Sequence, residues 1–311
     1  MKAITLSAYG DVSNLHKQDL PEPTIKEGEV LVQVKAISIN PVDVKTRIGK
    51  GAARFFRDEQ PIILGWDISG VVTRTSAEGF EVGDEVFGMV NFPGRGRAYA
   101  EYVAASQGHL ALKPASVSHE EGAAACLAAL TAYQALVTKA KVRPGQRVLV
   151  HAASGGVGHY AVQIARHLGA YVIGTSSAAN RDFVLSLGAQ EHVDYKAVRF
   201  EDVVHDVDMV LDTIGGDNID RSLEVVKPGG TIISIPSGLS ESVTEKARAK
   251  GVFGYHFMVS SNGNDMRELG SLLEKGALKS HIFQVFDFDH MGDAHLAIES
   301  GRTVGKIVLK P

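Results

Sequence analysis

The sequence predicts an α/β chain in two parts: a module of short β-strands, then a parallel sheet covered by helices. Three observations carry this. The chain has 311 residues, which at about 100–200 residues per domain favours two domains, each with its own core. Its first third reads as short strand-like runs separated by Gly and Pro. From Arg147 onward, short apolar runs alternate with helical patterns, and repeated strand–helix–strand units imply a parallel sheet with helices on both faces.

In the first part, "EVLVQVKAISIN" alternates apolar and polar residues before becoming more continuously apolar, and "GWDISGVV", "DEVFGMV" and "AYAEYVAA" follow as short strands. Turns fall at "EGE", "NP" and "FPGRG", so a small barrel is expected. Near Ala123 the character changes: "GAAACLAALTAYQAL" is alanine-rich and forms helix readily. "RVLVHAA" then reads as a strand. The helix after it carries Val157, Tyr160, Ala161, Ile164, Ala165 and Leu168 on one face. Next come "AYVIGTS" (strand), "NRDFVLSLG" (helix, with Gly188 as its stop), "DMVLDTI" (strand), "NIDRSLEVV" (helix) and "PGGTIISIP" (turn and strand). After Met258, "NDMRELGSLLEKG", "IFQVFDF", "DAHLAIES" and "KIVLKP" could extend this sheet or return to the first module, and periodicity does not decide between them.

Composition narrows the function. The chain is 44% hydrophobic and 22% charged with net charge −4, so a large basic surface for nucleic acid is not expected. Cys126 is the single cysteine, which rules out an intrachain disulfide and a cysteine-built structural zinc. The opening "MKAITLSAYG" lacks the apolar core of a signal peptide, and no apolar run approaches the ~20 residues of a membrane span. A soluble, cytoplasmic protein without membrane attachment is the expectation.

The stretch "HAASGGVGHYAVQIARHLGA" holds Gly155, Gly156 and Gly158 between a strand and a helix, with another strand directly after. In this setting a dinucleotide's pyrophosphate meets a helix N-terminus. Ala153, Ser154, Gly155, Gly156, Val157 and Gly158 form the expected cradle: Gly155 lets the backbone approach the phosphates, and Gly158 lets helix and strand pack closely. Ala153 stands where a first glycine is usual, so the match to GxGxxG is imperfect. An NAD site usually ends its second strand in Asp or Glu. Here Ser176 and Ser177 end it and Arg181 follows. Hydroxyls and a guanidinium suit a 2′-phosphate, and a carboxylate would repel it, so NADPH is the expected cofactor. The plainer alternative is a serine helix cap and a solvated arginine.

With these residues in hand, the chain resembles the medium-chain dehydrogenase/reductase superfamily, and more narrowly its zinc-independent quinone oxidoreductase branch. "GQRVLVHAASGGVGHYAVQIAR", including Gln163 and Arg166, fits that branch's signature. "MKAI", "SINPVDVKTR", "GWDISGVV", "VGDEVFG", "AYAEYV", "LTAYQAL", "LGAQEHVDY" and "GKIVLKP" follow in order, so the resemblance spans nearly the whole chain. It implies a GroES-like β-barrel catalytic domain over residues 1–121, a Rossmann NADP-binding domain with a doubly wound parallel sheet over 122–257, and a return to the catalytic domain over 258–311. It also implies a cleft between the domains with nicotinamide at its base, and a homodimer. Zinc-dependent relatives have Cys where this chain has Asn40 and His where it has Trp66. Two ligand positions are therefore lost, whereas a catalytic zinc needs three protein ligands and an open position. No metal site is expected.

The resemblance places Asn40 facing the nicotinamide, able to hydrogen-bond a substrate carbonyl; read alone, Asn40-Pro41 is a turn. Lys45 is a candidate near the substrate, although with Asp43 it could equally form a surface ion pair. Thr131 is a helix residue that the resemblance sets beside the nicotinamide carboxamide. Tyr195 either packs against the sheet or, by resemblance, borders the adenosine phosphate. Phe55, Phe56 and Trp66 read first as core and second as a wall for an apolar substrate. His151 and Cys126 read as structural. The implied activity is NADPH-dependent reduction of quinones or α,β-unsaturated carbonyls, with a small apolar carbonyl or quinone as the partner. The rival reading is a nicotinamide-binding regulatory protein with little turnover.

Overall fold

The computed structural model describes all 311 residues. They divide into two compact units: Met1–Leu130 with Val259–Pro311, and Thr131–Met258.

In the first unit the strands are β1 (Lys2–Leu6), β2 (Leu15–Asp19), β3 (Glu29–Ile39), β4 (Ile62–Ile63), β5 (Asp67–Thr75), β6 (Glu85–Met89), β7 (Tyr102–Ser106) and β8 (Ala111–Leu112), with the short helix α1 (Pro41–Arg47) after β3. Helix α2 (His119–Tyr133) follows and runs across the division between the units. β3 organises this unit. It half-buries Gln33 and exposes Lys35 between buried apolar neighbours, and its last four residues are all buried. This is the alternating-then-continuous pattern read from the sequence. One side of β3 pairs with β5; the other is shared, Glu29–Gln33 with β7 and Ile37–Ile39 with β16 (Lys306–Lys310).

The second unit is a six-stranded parallel sheet. Its strands are β9 (Arg147–Val150), β10 (Tyr171–Ser176), β11 (Glu191–Asp194), β12 (Val207–Asp212), β13 (Val226–Ser234) and β14 (Phe253–His256), in spatial order β11-β10-β9-β12-β13-β14. Between them run α3 (Gly158–His167), α4 (Arg181–Ser186), α5 (Phe200–Val203), α6 (Asp217–Leu223) and α7 (Val243–Ala249). Leu149, Ile173, Val193, Val210 and Ile232 of the strands pack with Phe200, Ile219, Leu223, Val243 and Ala247 of the helices; burying each large apolar side chain contributes roughly 1.5–3 kcal/mol. The order is that of a doubly wound dinucleotide fold, which reverses at its first strand. Here that strand is β9, paired with β10 on one side and β12 on the other.

Two local differences from the sequence reading have physical reasons. The strand expected over "RVLVHAA" stops at Val150, because Ala152 turns into the left-handed region (φ 47°) to start the glycine turn. Helix α3 is buried all round from Gly158 to Ala165 rather than on one face. The segments that periodicity left open return to the first unit: α8 (Gly263–Glu274), β15 (Ile282–Asp287), α9 (Met291–Glu299) and β16 follow in turn. β16 pairs antiparallel with β3, and β15 lies outside it as an edge strand.

Candidate active site

The glycine turn lies directly beyond the C-terminal end of β9, where ligands of open α/β sheets bind. The Gly155 N–H donates to the Ala152 carbonyl (2.9 Å), and His159 N–H donates to the Gly155 carbonyl (3.0 Å), so helical bonding begins inside the turn. Val157 is the residue before α3 and already helical. Ala153 is fully buried, and its N–H donates to the Thr175 carbonyl of β10 (2.8 Å), tying the turn to the sheet. Gly158 is the strict position: a Cβ there would lie 2.1 Å from the Ala152 carbonyl oxygen and 2.8 Å from Ala153 Cα. At Gly155 the same contact would be a milder 3.2 Å. The first N–H groups of a helix lack intrahelical acceptors and favour anions, so the turn fits a dinucleotide's phosphates.

His151, just before the turn, is structural. Its ring bonds Thr175 Oγ1 (3.1 Å) and Ser222 Oγ (3.0 Å), and burial pushes its pKa down to about 4, which keeps it neutral. On the other side of the switch point, Asp212 at the end of β12 accepts from Gly215 N–H, Asn218 Nδ2 and Ser234 Oγ, ordering the next loop. The sequence reading passed over Asp212; its signal was an acid closing the apolar strand "DMVLD".

The residues chosen for the 2′-phosphate separate by exposure. Ser176 is 3% exposed, with Oγ 2.8 Å from His192 Nε2 and 3.2 Å from the Ser177 carbonyl. It is therefore an internal hydroxyl rather than an open donor. Ser177 begins the connection to α4 and is partly exposed. Arg181 is exposed and pairs only with its neighbour Asp182 at 3.2 Å among charged groups, a contact of small worth at a surface. Asn180 Nδ2 donates to Ser154 Oγ (3.0 Å), fastening this connection to the glycine turn. Tyr195 is 57% exposed and does not pack into the sheet.

In the first unit, Asn40 closes β3 and precedes α1. Its N–H donates to Asp43 Oδ2 (2.7 Å), and Asp43 N–H returns a bond to the Asn40 carbonyl (2.9 Å). The expectation of Asp43 on the surface beside Lys45 is corrected: Asp43 is fully buried, drawn inward by this exchange at the start of the helix, and Lys45 is half-buried. The Asn40 amide joins a buried charge network. Lys306 Nζ donates to Asn40 Oδ1 (2.5 Å) and to the Ile39 carbonyl (3.0 Å). Asn40 Nδ2 donates to Asp67 Oδ2 (2.8 Å), and Leu127 N–H donates to Asp67 Oδ1 (2.9 Å). The second Nδ2 contact, to the Ser38 carbonyl at 3.5 Å, is long.

Burial sets the ionisation here. It pushes Asp43 up to about 8 and Asp67 up to about 7, with Lys306 pulling both back, and it lowers Lys306 itself against the attraction of the two carboxylates. Asp43 Oδ1 meets no partner with hydrogen-bond geometry, although the Tyr99 hydroxyl is its neighbour; Tyr99 also bonds His295 Nε2 at 3.0 Å. Sequence reading missed Asp67 and Lys306. Their signal was a charge set in an otherwise apolar run, "GWDIS" and "GKIVL". Trp66 is fully buried, stacks edge-on with Phe56 and Phe92, and donates Nε1–H to the Gly94 carbonyl (3.0 Å). Phe56 is likewise core. Cys126 is buried, with its thiol pushed well up by desolvation. Thr131 lies on α2 and belongs by contact to the second unit, 4% exposed. No group of three or more His, Cys, Asp or Glu is placed to hold a metal ion, and no helix is long and apolar enough to cross a membrane.

Together, a sheet with this strand order, a glycine turn at its reversal point and a separate β-rich unit define a dinucleotide-binding protein of the dehydrogenase type. The family model described as the alcohol dehydrogenase GroES-like domain matches residues 26–115, and the one described as zinc-binding dehydrogenase matches 187–309. A 2-methylene-furan-3-one reductase of Solanum lycopersicum is 35% identical over 100% of this chain and 79% of its own length. An NADPH-dependent alkenal/one oxidoreductase, chloroplastic, of Arabidopsis thaliana is 32% identical over 100% and 80%. The solved quinone oxidoreductase from Coxiella burnetii superposes with a TM-score of 0.95 at 35% identity, covering 100% of this chain and 99% of that one. The chain belongs to the medium-chain dehydrogenase/reductase superfamily, in its quinone oxidoreductase branch.

Proposed function

We propose that the protein is an NADPH-dependent reductase of quinones or α,β-unsaturated carbonyls that works without zinc. The observation that carries this reading is the glycine turn at the reversal point of the sheet, followed at the end of β10 by serines where an NAD site keeps an acid. The names of the relatives, reductases of enones and quinones, agree with it.

When bound, the dihydronicotinamide supplies a hydride to an electron-poor substrate. The chain's own residues bind and orient. The turn from Ala153 to Gly158 would hold the pyrophosphate, and Ser177, Arg181 and Tyr195 would hold the adenosine end. Thr131 and Lys45 come to the reacting end by family resemblance. Negative charge growing on a substrate carbonyl oxygen is stabilised by fixed donors. Asn40 can contribute one amide hydrogen, the one whose internal contact is long; Lys306 fixes its oxygen and Asp67 takes its other hydrogen. The zinc-independent part of the reading rests on Asn40 and Trp66, whose polar atoms are engaged by Lys306, Asp67 and the Gly94 carbonyl. Self-pairing as a homodimer belongs to the same reading: β14 is an edge strand with Phe253 exposed, and open edges invite pairing.

The test is NADPH and NADH oxidation across a panel of quinones and enones, with and without chelator. Saturable turnover that prefers NADPH and survives chelation is expected. Tight NADPH binding with no turnover on the whole panel would favour the regulatory protein instead.

A further inference from the structure

We propose that His192 belongs to the subsite for the cofactor's 2′-phosphate and makes binding there proton-linked; this rests on the NADPH reading above. The parallel register sets His192 of β11 beside Gly174 of β10, with Ser176 two residues further along the same face. That face is turned to α4 and the glycine turn. A Cβ at Gly174 would meet Val184 of α4 and Ala153 of the glycine turn. His192 Nε2 lies 2.8 Å from Ser176 Oγ, and its ring is only half-buried. The next residue, Ser177, starts the connection that carries Arg181 and is fastened to Ser154 through Asn180.

The hydrogen-bond arrangement accepts both protonation states. A hydroxyl has one hydrogen and can also accept. With His192 neutral, Ser176 Oγ–H donates to Nε2. With His192 protonated, Nε2–H donates to Ser176 Oγ, and the Ser176 hydrogen turns to the Ser177 carbonyl, 3.2 Å away. The proton therefore arrives without stranding a buried polar group, and it adds positive charge beside Ser176, the residue before Ser177. The charged neighbours are Arg181 on α4, with its partner Asp182, and Asp194 on the same strand. Without ligand, burial and Arg181 hold the imidazole below its ordinary range, opposed by Asp194. A phosphate ester dianion reverses that balance and raises it. Binding then takes up a proton, and affinity for 2′-phosphorylated nucleotides rises as pH falls towards the unliganded pKa. Nucleotides without that phosphate gain nothing.

The experiment is calorimetric titration of the full chain with 2′,5′-ADP and with 5′-AMP, from about pH 5.5 to about pH 8, in two buffers of different ionisation enthalpy. The comparison variant is His192→Gln, which keeps a hydrogen bond to Ser176 without titrating. The phosphate's own ionisation near pH ~6 is common to both proteins. The wild type should take up more protons than the variant on binding 2′,5′-ADP. Its affinity gain towards acid pH should exceed the variant's by about two- to fivefold, the scale of a partly exposed charge pair. In parallel, the His192 ring resonances of the wild type should report a higher pKa with 2′,5′-ADP than with 5′-AMP, a readout independent of the variant's folding. Equal proton uptake in both proteins, or an unmoved His192 pKa, overturns the role of His192 while leaving the NADPH reading intact. A wild type that binds 2′,5′-ADP no better than 5′-AMP overturns the NADPH reading itself and this inference with it.

Discussion

Two regions of the molecule solve opposite problems. Around Lys306, ionisable side chains are buried together: Lys306, Asp67 and Asp43 are each at most 3% exposed, and the Asn40 amide is held between the first two. Around Gly158, the work is done by backbone, because there is no room for a side chain. The first region depends on atoms that are present, the second on atoms that are absent. Removing a partner should break the network, and adding a methyl group should break the turn.

The largest effect is expected from Lys306→Met. Lys306 and Asp67 are opposite buried charges bridged by the Asn40 amide, and removing one leaves the other uncompensated; for a directly paired buried charge that costs about 3–5 kcal/mol, which sets the upper end here. Asp67, already raised to about 7, can escape by taking up a proton. Urea unfolding should therefore show the loss most strongly above that pH and less below it, and adding Asp67→Asn should recover much of it. A loss independent of pH, unrelieved by the second substitution, would mean that lost packing rather than charge dominates.

Gly158→Ala comes next. Its Cβ would press on the Ala152 carbonyl, and overpacking of this kind costs about 1–3 kcal/mol. NADPH affinity should fall with it, because the start of α3 must shift. Gly155→Ala, with its 3.2 Å contact, should cost less stability. Thermal melts and NADPH titration of both variants check the order; equal losses would show that the turn tolerates a methyl group at either place.

Ser177→Asp leaves the packing alone and tests charge at the surface. A carboxylate there should repel a 2′-phosphate and lower kcat/KM with NADPH by roughly tenfold, about 1.4 kcal/mol, while sparing NADH. An unchanged ratio of the two cofactors would remove Ser177 from the subsite.

Asp43→Asn should be the mildest, within about 1 kcal/mol at acid pH, where the native side chain is itself protonated. Its signature is a slope. A carboxyl raised to about 8 in the folded protein stabilises it fully below the unfolded value of about 4 and loses that contribution as pH rises through about 8. Melting temperature should fall over that window in the wild type and fall less in the variant.

The sequence by itself determined the alternation of strands and helices in the second unit, the glycine turn and the family, because these depend on neighbours within a few residues: apolar period, turn chemistry and helix start. Gly158 was legible because a close backbone approach leaves a glycine in the string. Periodicity leaves residues 259–311 open and only the family resemblance points them back to the first unit; the physical cause is tertiary, since β16 finds its partner in β3, more than 250 residues earlier. The tertiary structure alone decided that Asp43 turns inward, that Ser176 faces His192 rather than solvent, and that Lys306 reaches Asn40. A charge in an apolar run announces only that it must be compensated. Which residue compensates it is fixed by strand register and by the cost of leaving it alone in a medium of low dielectric, and neither is written along the chain.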